Sequence, residues 1–241
     1  MPKHLSPRTW LTHHPLQPTE HLFVILGNAS DAKPFDAWRA MAAGVLPQPI
    51  WAGTAYAAWD EVMPYVGVVE PDSGFLDWVA TTEATDWGWL AVSSSPLETV
   101  LAHLKSLTKA YMPDGQEVFL RFWDGVHFLS IVQGLGEEMG KVLPVFRRYL
   151  VNGQPLVVEA GPVTAAKACP WWKMPPSLLA YLGEQSPDTL IDNLLQWLEE
   201  ERAQLHTTFA PATLRHKVAY FTRRQDGSQQ ALAAYLGSES A

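Results

Sequence analysis

Apolar and polar residues along most of the chain follow patterns that predict strands and helices in turn. Short apolar runs of strand length are separated by segments whose apolar residues recur at helical spacing, and the connections are short. Alternation of this kind is typical of a largely parallel sheet. The predicted fold is therefore α/β, with a mostly parallel central sheet flanked by helices on both faces and with strands at 21–26, 65–70, 87–93 and 118–123.

The clearest local pattern runs from Ser95 to Asp124. Its first part predicts an amphipathic helix, because apolar residues between Leu97 and Tyr111 recur at a spacing of three and four. Ser95 has the side chain of an N-cap, and Glu98 three residues later completes a capping box. The Pro-Asp-Gly turn at 113–115 is expected to end this helix.

The nearly continuous apolar run at 118–123 is typical of a strand that is covered on both faces, in the middle of the sheet. Arg121 interrupts it. A guanidinium buried alone costs several kcal/mol, so Arg121 is expected to be paired, stacked on an aromatic ring or placed at a surface of the sheet. We expect a structural ion pair with a carboxylate such as Asp124 or Glu70, in preference to direct contact with a ligand.

The sequence changes in character near Gly161, where prolines interrupt the chain and helical patterns follow. An apolar stripe from Ile191 to Leu205 predicts a long amphipathic helix there. The first twenty residues are polar and broken by prolines, so they predict an irregular leader. The predicted organisation is a leader at 1–20, an α/β domain at 21–160 and a small C-terminal α-helical lobe at 161–241.

Composition and charge exclude several classes of protein. The 241 residues are 47% hydrophobic, enough to bury a core, and 17 basic against 25 acidic residues give a net charge of −8. This balance argues against nucleic-acid binding. The single Cys169 cannot form an internal disulfide. No apolar run has the length of a signal peptide or a membrane span, so we expect a cytoplasmic protein without membrane insertion.

Three carboxylates lie at or just after the ends of predicted strands: Glu70, Asp72 and Asp124. In a parallel sheet this edge collects ligands, and carboxylates there can hold Mg²⁺ or serve as acid and base. A metal- or carboxylate-dependent hydrolase of α/β fold is therefore one hypothesis. The chain has no nucleophile elbow, phosphate loop or zinc-protease motif, and helix caps use the same residue types. We accordingly predict a protein without catalytic residues, metal or cofactor, and keep the hydrolase as the alternative.

Eleven tryptophans are more than a core of this size requires, and large aromatic side chains are enriched at contact surfaces. Trp171 and Trp172 lie in the proline-broken connection after Gly161, and Trp197 lies on a late amphipathic helix. We predict that these three residues contact a partner protein. Ordinary packing between domains is the alternative.

The segment PDGQEVFLRFWD at 113–124 resembles a signature of the effector-adaptor chaperones of bacterial type VI secretion systems, in which a Pro-Asp-Gly turn precedes an Arg-Phe-aromatic-Asp strand. Other similar segments appear in the same order along the chain. They are LFVILGNASDA at 22–32, YVGVVEPDSGFLDWV at 65–79, WGWLAVSSSPLETVLAHLKSL at 87–107 and the short segment at 146–150. The resemblance covers residues 20 to 150, and its specificity comes from the ordered set.

The resemblance implies a cytoplasmic, non-enzymatic adaptor that binds a cognate toxic effector. Such an adaptor helps load the effector onto the spike protein of the secretion machine. The resemblance provides no residue-level contacts, and the signature residues Arg121 and Asp124 look structural. The region after Gly161 has no matching signature, and we expect the client to bind to this variable helical lobe.

Overall fold

The computed structural model describes residues 4–41, 46–159, 161–185, 187–222 and 229–239. The chain divides into two compact units, residues 1–175 and residues 176–241. The change of character predicted near Gly161 lies before this division, within the first unit.

The described residues of the first unit form six α-helices and eight strands. The helices are α1 (Pro7–His13), α2 (Pro34–Met41), α3 (Phe75–Thr81), α4 (Leu97–Ser106), α5 (Gly125–Leu135) and α6 (Met139–Val142). The strands are β1 (His21–Gly27), β2 (Gln48–Pro49), β3 (Pro64–Val68), β4 (Gly88–Ser93), β5 (Lys109–Tyr111), β6 (Glu117–Phe119), β7 (Arg148–Val151) and β8 (Gln154–Val157). Short 3₁₀ turns lie at Asp60–Val62 and Gly136–Glu138.

Six strands form one sheet in the order β2-β3-β1-β4-β7-β8, and every neighbouring pair is antiparallel. The prediction of a mostly parallel sheet is therefore wrong. Three of the predicted strands exist as β1, β3 and β4, but β3 begins beside the end of β1, with Pro64 opposite Gly27. A continuous apolar run indicates a strand that is buried on both faces, but it does not indicate whether the neighbouring strand is parallel or antiparallel.

Helices cover both faces of the sheet. Alternate residues of β1 point to one face, where Leu22, Val24 and Leu26 pack with Trp38 of α2 and Phe75 of α3. On the opposite face the ring of Phe128 in α5 stacks on Trp89 of β4, with centroids 4.0 Å apart. Burial on both faces explains why β1 and β4 are almost continuously apolar.

The segment predicted as an irregular leader contains α1. Ser6 caps this helix by accepting a hydrogen bond from the Thr9 N–H, and Trp10 is fully buried in the core. After the helix, the Arg148 guanidinium of β7 donates to the Glu20 carboxylate at 2.6 Å and to the His14 carbonyl at 2.8 Å. The N-terminal segment is thus held by packing and by a partly buried ion pair.

Replacing Arg148 with alanine is expected to lower the free energy of unfolding by about 2 kcal/mol, because Glu20 would lose its charged partner at a site where both side chains are at most 16% exposed. Lys141 and Glu138 form a control pair at the surface, 74% and 62% exposed. Lys141→Ala should change stability by less than about 0.5 kcal/mol. Chemical denaturation of both variants checks the comparison, and equal losses would contradict it.

The stretch from Ser95 to Asp124 departs from the prediction in both its helix and its strand. Helix α4 ends at Ser106, and its N-cap is Pro96, without a side-chain hydrogen bond, so the expected capping by Ser95 is wrong. Strand β6 has only three residues and pairs with β5 in a separate two-stranded antiparallel sheet. The strand expected at the centre of the fold is therefore peripheral.

The apolar run at 118–123 nevertheless identified buried residues correctly. Leu120, Phe122 and Trp123 are at most 7% exposed, although they follow β6 in an irregular segment. Burial of these side chains requires an apolar sequence but no strand, which is why hydrophobicity alone misassigned the segment.

The described residues of the second unit form helices joined by short turns. Its helices are α7 (Pro176–Gln185), α8 (Pro187–Glu201), α9 (Ala203–Thr208), α10 (Pro211–Thr222) and α11 (Gln229–Glu239). The apolar stripe predicted from Ile191 faces the core of this unit, where α8, α10 and α11 meet through Ile191, Leu194, Leu198, Leu214, Val218, Phe221, Leu232 and Leu236. None of the helices in the described ranges of the chain is long and apolar enough to cross a bilayer.

Candidate partner-binding surface

The two adjacent tryptophans predicted to contact a partner have different environments. The Trp171 ring is half-buried, its indole N–H donates to the Ser106 hydroxyl at 3.1 Å, and the Lys167 ammonium lies 4.2 Å from its ring centroid. Trp172 is only 8% exposed, and its backbone carbonyl accepts a hydrogen bond from Tyr111 of β5 at 2.8 Å. Trp171 thus retains accessible ring surface, whereas Trp172 is part of the packed fold.

Trp197 lies on α8 in the second unit. It is half-buried against the apolar core of that unit, and the Arg202 guanidinium lies 5.6 Å from its ring centroid. An aromatic ring with one packed face and one face near a cation is a reasonable contact residue, so the assignment of Trp197 stays a prediction.

Arg121 and Asp124 form an ion pair, with the Arg121 Nη2 donating to Asp124 Oδ2 at 2.8 Å. The other oxygen of Asp124 accepts from the N–H groups of Val126 and His127, at 2.9 and 3.3 Å. Asp124 is therefore the N-cap of α5. Arg121 pairs with Asp124, and Glu70, the other carboxylate considered as its partner, is an exposed residue after β3.

His127 lies beside this pair, and its pKa is lowered from 6.5 mainly by burial; Asp124 opposes the shift and Arg121 adds to it. The unfolded chain therefore binds more protons than the folded protein just below pH 6.5, so stability should fall as the pH falls through this range. His127→Gln should flatten that loss. Unfolding free energies at about pH 7.5 and about pH 5.5 check it, and parallel changes in wild type and variant would contradict it.

The three carboxylates of the hydrolase hypothesis do not converge. Val68 of β3 lies opposite Phe23, so Glu70 lies near the beginning of β1. Asp124 lies near the end of β1, because the carbonyl of the preceding Trp123 approaches Gly27. A strand of this length spans about 20 Å, which separates the two carboxylates.

Asp72 lies with Glu70 in the turn after β3, and its backbone carbonyl accepts from Arg8 of α1 at 3.3 Å. Within the described ranges, no three His, Cys, Asp or Glu side chains cluster in a way that could hold a metal ion. The shared edge on which the hydrolase hypothesis depended was a consequence of the parallel sheet, and the antiparallel sheet removes it.

An aromatic patch that the sequence analysis missed lies where residues 51–59 meet β6. We define it as Trp51, Tyr56, Trp59, Phe119 and Trp123, whose neighbouring ring centroids are 4.9 to 6.1 Å apart. Its base is buried, since Trp51 is 1% and Trp123 7% exposed. Its outer part is open to solvent, with Trp59 47% and Phe119 36% exposed.

A lysine groove of about 520 Å³ adjoins the aromatic patch, and Tyr56 lines both. Its charged lining residues are Lys105, Lys109, Lys167 and Glu117. The Lys109 ammonium lies 5.5 Å from the Phe119 ring centroid and 3.3 Å from the Glu117 carboxylate. Hydrogen bonds raise the pKa of Lys109, and the bond with Tyr56 has a larger effect than the bond with Glu117. Three lysines against one glutamate leave two positive charges in the groove.

Strand β6 has one open edge. The N–H groups of Met112 and Leu120 donate across the hairpin to Gln116 and Thr108, which fixes the hydrogen-bonded positions. Because these positions alternate along an antiparallel pair, the backbone groups of Glu117 and Phe119 point away from β5. In the described part of the chain, no hydrogen bond reaches these outward groups.

The far side of β5 is closed. The Tyr111 N–H donates to the carbonyl of Trp172, and the Tyr111 carbonyl accepts from Met174, each at 2.8 Å. Exposure alternates along β6, where Glu117 and Phe119 are exposed and Val118 is half-buried, as in a strand with one covered face.

Comparison with known proteins covers the part of the chain that carries this surface. No curated protein and no solved structure matches the chain. The matching segment of a family model includes the aromatic patch, the open edge of β6 and the Arg121–Asp124 pair, and it ends before Trp171. Residues 22–140 match the family described as a domain of unknown function, DUF4123.

Proposed function

We propose that this protein is a non-enzymatic adaptor of a type VI secretion system. It binds a cognate toxic effector in the bacterial cytoplasm and helps load that effector onto the spike protein. The observation that carries the proposal is the ordered set of segments between residues 20 and 150 that resembles the effector-adaptor chaperones. The match of residues 22–140 to one domain family supports it, because it covers the same part of the chain.

The surface of the first unit also supports an adaptor. A protein that holds a client needs a rigid scaffold with exposed aromatic side chains, and such residues supply much of the binding energy at protein interfaces. The aromatic patch provides them beside an open strand edge, with Trp59 47% exposed. The carboxylates Glu70 and Asp124, in contrast, lie at opposite ends of β1.

The proposal predicts that genes for a toxin and for a spike protein lie beside the gene of this protein, and it is tested by co-expressing the protein with the products of those genes. The expected result is a stable complex of the tagged protein with the toxin, and a further complex when the spike protein is added. An unrelated toxin of similar size and charge serves as the control. Failure to recover the cognate toxin, with both proteins folded and abundant, would overturn the proposal.

Trp171→Ala and Trp197→Ala are expected to weaken recovery of the toxin, because both side chains are only half-buried and their loss removes aromatic contact area. Both side chains are also partly packed, so each melting temperature should fall moderately, and each variant should stay folded at the temperature of the assay. Trp172 is unsuitable for this test, since its side chain is packed and its loss would disturb the fold. Undiminished recovery with both variants would remove the two tryptophans from the client surface.

A further inference from the structure

The open edge of β6 lies between two surfaces of different chemistry. Phe119, at one end of the strand, belongs to the aromatic patch, and Glu117, at the other end, lines the lysine groove. The outward N–H and C=O groups of these two residues are arranged as in the edge of any antiparallel sheet. An extended peptide that adds as a further strand satisfies all of them at once.

The edges of the large sheet are protected against such pairing. At these edges Ile50 is hydrogen-bonded to Pro64, and Val158 is hydrogen-bonded to Arg147. Because bonded positions alternate along each strand, the backbone groups of Pro49 in β2 and Pro155 in β8 point outward, away from the sheet. Proline lacks an N–H, and its presence on edge strands is a common defence against unwanted strand addition. Strand β6 contains no proline. The exposed β6 edge therefore lacks the protection found at both edges of the large sheet.

Charge and exposure specify the chemistry of the peptide. The groove beside β6 has two net positive charges in a chain whose net charge is −8, so it favours a segment with carboxylates. Lys109 and Glu117 are 26% and 45% exposed, and an ion pair at such a site contributes little, so Lys109 can exchange its partner for a carboxylate of the ligand. The accessible faces of Trp59 and Phe119 favour an apolar side chain.

We infer that the edge of β6 binds an extended segment of the client effector by strand addition. One apolar side chain of the segment packs on Phe119 and Trp59, and a nearby carboxylate faces Lys105 and Lys109. The identification of the client as an effector rests on the proposed function. The edge, the patch and the groove are properties of the first unit alone.

The experiment uses the full chain and a phage-displayed library of random dodecapeptides, so it needs no knowledge of the effector. Glu117→Pro removes the outward N–H and the carboxylate, whereas Glu117→Ala removes only the carboxylate. Selected peptides should combine acidic and apolar residues. They should bind Glu117→Pro at least about tenfold more weakly than Glu117→Ala, because strand pairing is lost in the first variant alone.

Charge is tested with a second pair of variants. Lys109→Gln neutralises a lysine of the groove, and Lys141→Gln makes the same change in charge at a distant exposed site. Only Lys109→Gln should weaken the selected peptides, by about threefold to tenfold, and added salt should weaken binding to the wild type. Circular dichroism melts show whether each variant is folded, and Lys109→Gln tests the site should Glu117→Pro fail to fold.

Each outcome separates this inference from the proposed function. Peptides that bind Glu117→Pro and Glu117→Ala equally, or a library that yields no binders to the wild type, would overturn strand addition at β6. A dimer dissolved by Glu117→Pro would identify a second copy of the chain as the occupant and overturn the client assignment. Recovery of the effector by Glu117→Pro at the wild-type level would support the adaptor function and overturn effector binding at the β6 edge. Selected peptides that bind this edge, together with no recovery of the effector, would support strand addition and overturn the adaptor function.

Discussion

Replacing Gly88 with alanine is expected to cost more than about 4 kcal/mol of folding free energy and to prevent the first unit from folding at ambient temperature. Gly88 opens β4 with a φ of +138°, a conformation that residues with a β-carbon rarely adopt. A β-carbon there would lie 1.9 Å from the carbonyl oxygen of Ile25. That oxygen belongs to β1, in the centre of the sheet, so the backbone cannot move aside without breaking the pairing of two buried strands.

Gly115 supplies the control for this variant. Its φ is +93°, but a β-carbon there would meet nothing within 4 Å. Gly115→Ala therefore carries only the conformational penalty of about 1 kcal/mol, and the difference between the two variants measures the steric overlap at Gly88. Thermal melts followed by circular dichroism distinguish the two cases. Equal melting temperatures of Gly88→Ala and Gly115→Ala would contradict the close approach of Gly88 to Ile25.

The same close packing positions the segment that resembles the adaptor signature. A β-carbon on Gly125 would lie 2.5 Å from the carbonyl oxygen of Thr85 and 2.6 Å from that of Gly88. The first residue of α5 is thus pressed against the chain that leads into β4. This contact holds Asp124 at the start of α5 and places Trp123 at the base of the aromatic patch.

The sequence predicted which residues are buried better than it predicted how strands pair. The run at 87–93 became β4, because a continuous apolar run of that length needs cover on both faces. The direction of the strands beside β4 depends on the end of the sheet at which each connection brings the chain back. The long connection between α2 and β3 brings Pro64 back to Gly27 at the end of β1, and no pattern of local hydrophobicity encodes that return.

The candidate surface was less predictable than the fold. Trp59 and Phe119 are 60 residues apart in the sequence and become neighbours only because the 51–59 segment packs on the β5–β6 hairpin. The adjacent residues Trp171 and Trp172 were predicted to contact a partner because neighbours in the sequence can be recognised without a structure. Tertiary packing then buried Trp172 and left the accessible aromatic area of the first unit partly on Trp59.

Asp124 links the signature to the fold, and its replacement by alanine is expected to have the second-largest effect, a loss of about 3 kcal/mol. The side chain is 8% exposed and accepts three hydrogen bonds, from Arg121 and from the N–H groups of Val126 and His127. Alanine would leave the first turn of α5 without its cap and Arg121 without its carboxylate. Asp124→Asn keeps a capping oxygen and should cost about 1 kcal/mol, so the two variants separate the cap from the charge.

Replacing Arg121 distinguishes a structural role of the signature from a role in binding a partner. Its side chain is 55% exposed, so its ion pair with Asp124 is largely solvated and Arg121→Ala should change stability by less than about 1 kcal/mol. If the protein is the adaptor proposed above, a structural role for the pair predicts that Arg121→Ala recovers the effector as wild type does, while Asp124→Ala loses it only to the extent that it unfolds. Denaturation curves and recovery of the co-expressed toxin, measured on the same preparations, check both statements. Loss of the toxin by a fully folded Arg121→Ala would instead make this arginine a direct contact of the client.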